Sequence, residues 1–272
     1  MPLVSVIIAC LNDLRHLPKA VDSVLAQSFT DIELVVMDGA SMDGTPEYLK
    51  TLTDPRVQWR SERDGGLTNA WNKAIALSRG DWLLFLGADD YIWDRDVIAR
   101  AAPCLRGSAA ALAFGEVRIV AEHSDDVVQT ARFDRAALLA QLRSPRGLGL
   151  PHQGFFHSRR AFTGGPFDAS FRLAADYEFI TRFSAEQDFE CLPIGPVAAF
   201  RMGGLSTNPW VTLEAYREFA RVHRLRGRGR LHGMGQLAKA HLKAVLKGVL
   251  GANLARRLVN ASRSLRGMPP YK

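Results

Sequence analysis

Aspartates recur where short apolar runs give out in this 272-residue chain: Asp38 closes "IELVVMD", Asp64 stands in "ERDGGL", and Asp89 and Asp90 follow "WLLFLGA". Adjacent carboxylates at the end of an apolar strand repel each other unless something positive sits between them. Asp89 and Asp90 are therefore candidate ligands of a divalent cation, Mn²⁺ or Mg²⁺, although either Asp taken alone could cap the helix read just downstream. Asp38 could accept a hydrogen bond from a ribose hydroxyl or a base N–H, or it could order a turn, since Asp-Gly pairs are common in turns. Asp64, Gly65 and Gly66 precede a helix whose first N–H groups could receive an anion. Lys73, about two turns into that helix, could neutralise a phosphate or lie in solvent. His152 in "PHQGFF" could bind phosphate or acceptor, or pack against Phe155 and Phe156. In "RLAADYEF", Asp176 opens a helix, which by itself reads as a helix cap, and Glu178, which follows on a different face, is a candidate contact for acceptor or phosphate.

The elements that must position these groups alternate. Strands are expected at Val4 to Ala9, Ile32 to Met37, Val57 to Ser61 and Trp82 to Leu86. Helices are expected at Leu17 to Gln27, Thr45 to Leu52, Leu67 to Ser78 and Asp94 to Leu105. Trp82 to Leu86 has no polar alternation, as expected of a strand covered on both faces. Alternating strands and helices predict βαβ units, a parallel sheet and helices on both sides. Asp38, Asp64 and Asp89 then follow three successive strands and converge on one edge, the carboxyl edge where such sheets bind ligands. Carboxylates for ribose and base, with a cation and helix amides for phosphate, describe a site for a metal-bound nucleotide carrying a leaving group. Further on, "AALAFGEVRIVAE" reads as two strands, Asp134 to Leu142 and Asp176 to Ala185 as helices, and Cys191 to Phe200 as extended chain.

The ordered set "VSVIIACLND", "MDGASMDGT", "DGGLTNAWNKAIALSRGDW", "FLGADD", "PHQGFF" and "FDASFRLAADYEF" resembles family 2 glycosyltransferases with the GT-A fold, over roughly residues 3–205. That resemblance implies a Rossmann-like, mostly parallel sheet flanked by helices and a nucleotide-sugar donor. It implies that Asp38 and Asp64 hold the nucleoside, and that "GADD" stands for the region that binds metal and diphosphate. It also implies that Asp176 is similar to the general base that deprotonates an acceptor hydroxyl in an inverting transfer. The chain departs from the pattern at Gly87 and Ala88, where such enzymes often carry an acid, so the metal role passes to Asp89 first and Asp90 second. The acceptor expected is a saccharide or lipid-linked saccharide in surface polysaccharide biosynthesis. The expected division is 1–110 for the nucleotide-sugar half, 111–208 for the acceptor half and 209–272 for a basic helical extension.

Composition sets the remaining bounds. With 47% hydrophobic and 23% charged residues the chain is ordinary for a globular protein. Cys10, Cys104 and Cys191 show no zinc spacing and suggest a reducing compartment. The start, "MPLVSVIIACLND", lacks a basic leader region and reads as a first strand, and no apolar run is long enough to span a bilayer, which together suggest a cytoplasmic protein. Arg221 to Lys272 holds thirteen Lys or Arg and no Asp or Glu, whereas the part before it is mildly acidic. Leu242, Val245, Leu246, Val249 and Leu250 share a helical face, with Lys239, Lys243 and Lys247 on another. That pattern fits a surface helix packed on the domain or one lying on the anionic inner face of the plasma membrane. No nucleic-acid partner is expected. Two other readings compete: a decayed GT-A scaffold binding lipid or nucleic acid through the tail, and a sugar nucleotidyltransferase. The latter would carry a Gly-rich basic loop after the first strand, which "ACLNDLRHL" lacks.

Overall fold

The computed structural model describes residues 1–144, 149–204 and 212–227. The chain divides into two compact units, residues 1–207 and 208–272. Strand β1 (Val4–Cys10) and β2 (Ile32–Asp38) are buried along their whole length, as is β4 (Trp82–Gly87) up to Leu86. They lie in parallel with β3 (Val57–Ser61) at one edge, in the order β3-β2-β1-β4. Helices α1 (Leu17–Leu25), α2 (Thr45–Lys50), α3 (Leu67–Leu77) and α4 (Val97–Gly107) cross over between or after these strands. Apolar side chains from strands and helices, among them Val6, Ile8, Val21, Leu34, Leu84 and Ile98, form one core. The order of elements is the one that the alternating pattern predicts, because continuous burial and amphipathic crossovers arise from the same apolar periodicities.

The second part of the first unit makes the sheet mixed. Strand β8 (Phe155–Ser158) runs antiparallel to β4, and β6 (Leu112–Val120) is antiparallel to β8. Strand β9 (Phe189–Arg201) is parallel to β6, and a two-residue β5 (Tyr91–Ile92) lies antiparallel on β9. The segment read as two strands is the single β6, nine residues long. Its last residues pair with β7 (Val127–Ala131), for which the sequence carries no alternation signal because Val127 and Val128 are exposed. Helix α5 (Arg135–Arg143) is capped by Asp134, whose side chain accepts the Ala137 N–H at 2.7 Å. Helix α6 (Ala175–Ile180) stops before the expected Ala185. The second unit contributes α7 (Thr212–Leu225), and the expected basic helix at residues 239–250 lies outside the described residues. Among the described residues no helix is long and apolar enough to cross a membrane.

Candidate active site

Strand register fixes where the acids come out. Cys10 lies opposite Asp38 and Ala9 opposite Gly87, so the loops after β1, β2 and β4 leave the sheet at one level. The first two are sewn together: the Asn12 N–H donates to Ser41 Oγ at 2.7 Å, and Asn12 Oδ1 accepts the Met42 N–H at 2.8 Å. Asn12 and Ala40 both have positive φ, 51° and 63°. Asn tolerates that region, whereas Ala adopts it at a cost of about 1 kcal/mol that the surrounding bonds must offset. A Cβ on Gly39 would sit 3.2 Å from Asp64 Oδ2, so the glycine is what lets the loop after β3 close on the loop after β2.

Within that frame the acids differ in availability. Asp38 is 1% exposed, and its carboxylate accepts from the Ser41 N–H, the Ser41 hydroxyl and, at 2.5 Å, the Ser61 hydroxyl. The contact with ribose or base expected of it is thus replaced by bonds that order the turn. Its negative charge, after burial itself, helps push the neighbouring Cys10 thiol far above its usual range. Asp64 is half-buried; one oxygen accepts the Gly66 N–H at 2.8 Å and the other faces Gly39. Lys73, read as a phosphate candidate, instead pairs with Glu62 at 2.7 Å and donates to the Arg63 carbonyl, bracing this loop from behind.

The turn after β4 separates its two carboxylates. Asp90 is 2% exposed and accepts from the Gly87 N–H at 2.9 Å, the Arg201 N–H at 2.9 Å and Gln153 Nε2 at 2.6 Å. With its oxygens committed, Asp90 ties β4 to β9 and to the turn before β8 and is not available as a cation ligand, contrary to the sequence expectation. Burial and the neighbouring Asp89 raise its pKa to about 7. Asp89 is half-buried, and among the described residues no other side chain donates a hydrogen bond to its carboxylate. Burial and then the nearby Asp13 raise its pKa, opposed by its own N–H, His16 and Arg201. A half-buried carboxylate of raised pKa with no side-chain donor is suited to a divalent ion. The donor chemistry therefore fits the expected cation at Asp89, although no group of three or more His, Cys, Asp or Glu forms a metal site among the described residues. A Cβ on Gly87 would meet Asp89 Oδ1 at 2.7 Å and Asp90 Oδ2 at 2.8 Å, so an acid in its place would require both carboxylates to shift.

Arg201, which the sequence gives no reason to single out, holds the turn from outside. Its Nε donates to the Asp89 carbonyl at 3.3 Å, Nη1 to the Ala121 and Ser124 carbonyls, and Nη2 pairs with Asp125 at 2.6 Å. Asp176 is half-buried in the first turn of α6 and accepts the Tyr177 N–H at 2.7 Å. Glu178 is buried in an ion pair with Arg182 at 2.7 Å, and Arg182 also donates to the Gly165 carbonyl, so Glu178 anchors its helix rather than facing an acceptor. His152 is buried too: its ring stacks on Phe85 at 5.2 Å and its Nε2 lies 3.2 Å from that of His157. A phosphate or acceptor contact would require a charged or exposed ring. Burial drives its pKa well below the ordinary value instead.

Residues 5–163 match the family described as Glycosyl transferase family 2. The chain belongs to this family. It is 33% identical over 186 residues to a PGL/p-HBAD biosynthesis glycosyltransferase of Mycobacterium bovis, a match that covers 66% of this chain and 69% of that protein. An uncharacterised glycosyltransferase of Mycobacterium tuberculosis is 38% identical over 186 residues, 66% of this chain and 68% of that protein. Among solved structures, S. aureus TarS with UDP-GlcNAc aligns with a TM-score of 0.63 at 17% identity, over 88% of this chain and 71% of that one. A Pyrobaculum calidifontis mannosyltransferase with GDP-Man and Mn²⁺ aligns with a TM-score of 0.61 at 19% identity, over 97% and 80%. The fold of the family 2 chain is thus that of the GT-A glycosyltransferases, with a mixed rather than mostly parallel sheet.

Proposed function

We propose that this glycosyltransferase moves a sugar from a nucleotide-sugar donor to a hydroxyl of a saccharide or lipid-linked saccharide, with inversion, in surface polysaccharide biosynthesis. The observation that carries the reading is the sewing of the β1, β2 and β3 loops at the level where the β4 turn presents Asp89. In this reading Asp64 and the turn ordered by Asp38 receive the nucleoside, and Asp89 holds a divalent cation, Mn²⁺ or Mg²⁺, at the diphosphate. The cation supplies charge to offset that which builds on the leaving phosphate. Asp176 takes the proton of the acceptor hydroxyl as its oxygen attacks the anomeric carbon, and the bond to the diphosphate oxygen breaks on the opposite face. Relatives named for glycan biosynthesis and neighbours bound to UDP-GlcNAc or GDP-Man support the donor class. The basic stretch 221–272 suits the anionic cytoplasmic face of a membrane, where a lipid-linked acceptor would be presented.

Calorimetry with UDP, GDP, TDP and CDP, each with and without Mn²⁺ or Mg²⁺, tests this reading. One nucleotide should bind only with a cation, and Asp89→Ala should abolish that binding. Asp176→Asn should bind normally yet transfer at least about 100-fold more slowly. A folded chain lacking 228–272 should bind the nucleotide as well as the full chain and lose retention on anionic vesicles. No binding of any nucleotide by the folded protein would overturn the assignment.

A further inference from the structure

Helix α1 runs alongside the segment that follows Asp89. Ser23 Oγ accepts the Ile92 N–H at 3.0 Å, and one turn earlier Lys19 places its ammonium 3.7 Å from the centre of the Tyr91 ring. Lys19 also pairs with Asp125, the carboxylate that holds Arg201 on the Asp89 carbonyl. The next step toward the N-terminus of α1, three residues back, is His16, the residue that caps the helix. Residues three and four apart share a helix face, so the row Ser23, Lys19, His16 descends along Ile92 and Tyr91 toward Asp89. His16 and Asp13 both bear on the charge of Asp89, as this placement requires.

His16 is already oriented. Its Nδ1 lies 2.6 Å from Asp13 Oδ1, and both side chains are about 30% exposed, at 30% and 28%. A carboxylate on one ring nitrogen keeps the proton there and leaves Nε2 with a lone pair, the arrangement in which carboxylate–histidine pairs bind metal ions. The donor-site reading calls for a cation at Asp89, where Gly87 and Ala88 supply no second acid and Asp90 is bonded to three donors.

We propose that His16, oriented by Asp13, is the second protein ligand of the cation at Asp89, and that the donor's diphosphate completes the site. This rests on the reading of Asp89 as the donor-site ligand. Ions of this class often take one or two side chains and fill the remaining positions with substrate phosphates and water. An imidazole ligand also favours a first-row ion such as Mn²⁺ over Mg²⁺.

The test is Mn²⁺ titration followed by electron paramagnetic resonance, in the presence of the nucleoside diphosphate that the wild type binds, with circular dichroism to confirm folding. His16→Ala should weaken Mn²⁺ binding tenfold or more, and saturating Mn²⁺ should restore nucleotide binding to the wild-type level. Asp13→Asn should give a smaller loss, and His16→Asp should bind a cation but lose the preference for Mn²⁺ over Mg²⁺. Unchanged Mn²⁺ affinity in His16→Ala, or a loss of nucleotide binding that saturating Mn²⁺ does not restore, overturns the proposal. Asp89→Ala, run in parallel, separates the two levels. If it weakens Mn²⁺ binding and His16→Ala does not, only the His16 assignment fails; if neither does, the donor-site reading fails with it.

Discussion

Asp89 and Asp90 are neighbours of one chemical type with opposite duties, and the difference lies in what reaches each carboxylate. Asp90 receives two main-chain N–H groups and the Gln153 amide, all drawn from distant parts of the chain or across a tight turn. Truncation to alanine would leave these donors buried without an acceptor, each at about 1–3 kcal/mol. Asp90→Ala should therefore lose about 3 kcal/mol or more in urea denaturation at neutral pH. Asp89→Ala removes a partly desolvated acid with no side-chain donor, so its denaturation midpoint should be equal to or above that of wild type. A stability loss in Asp89→Ala as large as in Asp90→Ala would refute this division of labour. The sequence identifies the pair as chemically special but does not rank its members. The partner that ranks them, Arg201, is 111 residues from Asp90 along the chain and sits in no motif.

At the scale of elements, the parallel half of the sheet is legible because Val4–Cys10, Ile32–Asp38 and Trp82–Gly87 each carry one unmixed signal, burial on both faces. Strand β5 is two residues long and exists through its pairing with Ala198 and Ala199, a long-range partner that no local pattern announces. The join between the two halves is equally hidden. Asn72 on α3 donates to the Phe167 carbonyl at 2.9 Å and accepts the Phe167 N–H at 3.0 Å, and Thr68 donates to the Phe171 carbonyl at 2.9 Å. Trp71 packs on Phe167 between those contacts, with ring centres 5.2 Å apart. Helix α3 thus holds the segment that leads into α6 and Asp176. Asn72→Ala should cost about 2 kcal/mol, since two opposed main-chain groups lose their partner. It should also lower kcat several-fold more than it weakens nucleotide binding, because in the proposed transfer the loosened segment leads to the base Asp176. Equal effects on both would place Asn72 in the donor site instead.

At the scale of the whole molecule, pH acts through two enclosed histidine rings. His157 is fully enclosed, with Phe85, Phe155, Phe162, Phe167 and Phe179 around it and His152 at hydrogen-bond distance. Burial lowers its pKa from 6.5 to about 3, and burial followed by the adjacent His157 lowers that of His152. Below pH 6.5 the unfolded chain takes up a proton at His157 that the folded chain refuses until about pH 3. The unfolded state then binds more protons, so stability falls as pH falls through that window. Asp90 works the other way: with a folded pKa of about 7 against an ordinary 3.8, the folded state binds the extra proton between those values and gains stability on acidification. The opposing contributions flatten the wild-type profile and conceal the histidine term. Subtracting wild type from His157→Phe cancels the aspartate contributions and leaves the ring. Urea denaturation of both proteins from pH 7 to pH 4 should show the difference moving in favour of His157→Phe by about 1.4 kcal/mol per pH unit below 6. A difference independent of pH would mean that His157 takes up its proton inside the folded protein as readily as outside it, and that the aromatic cluster joining β4, β8 and α6 admits a charge.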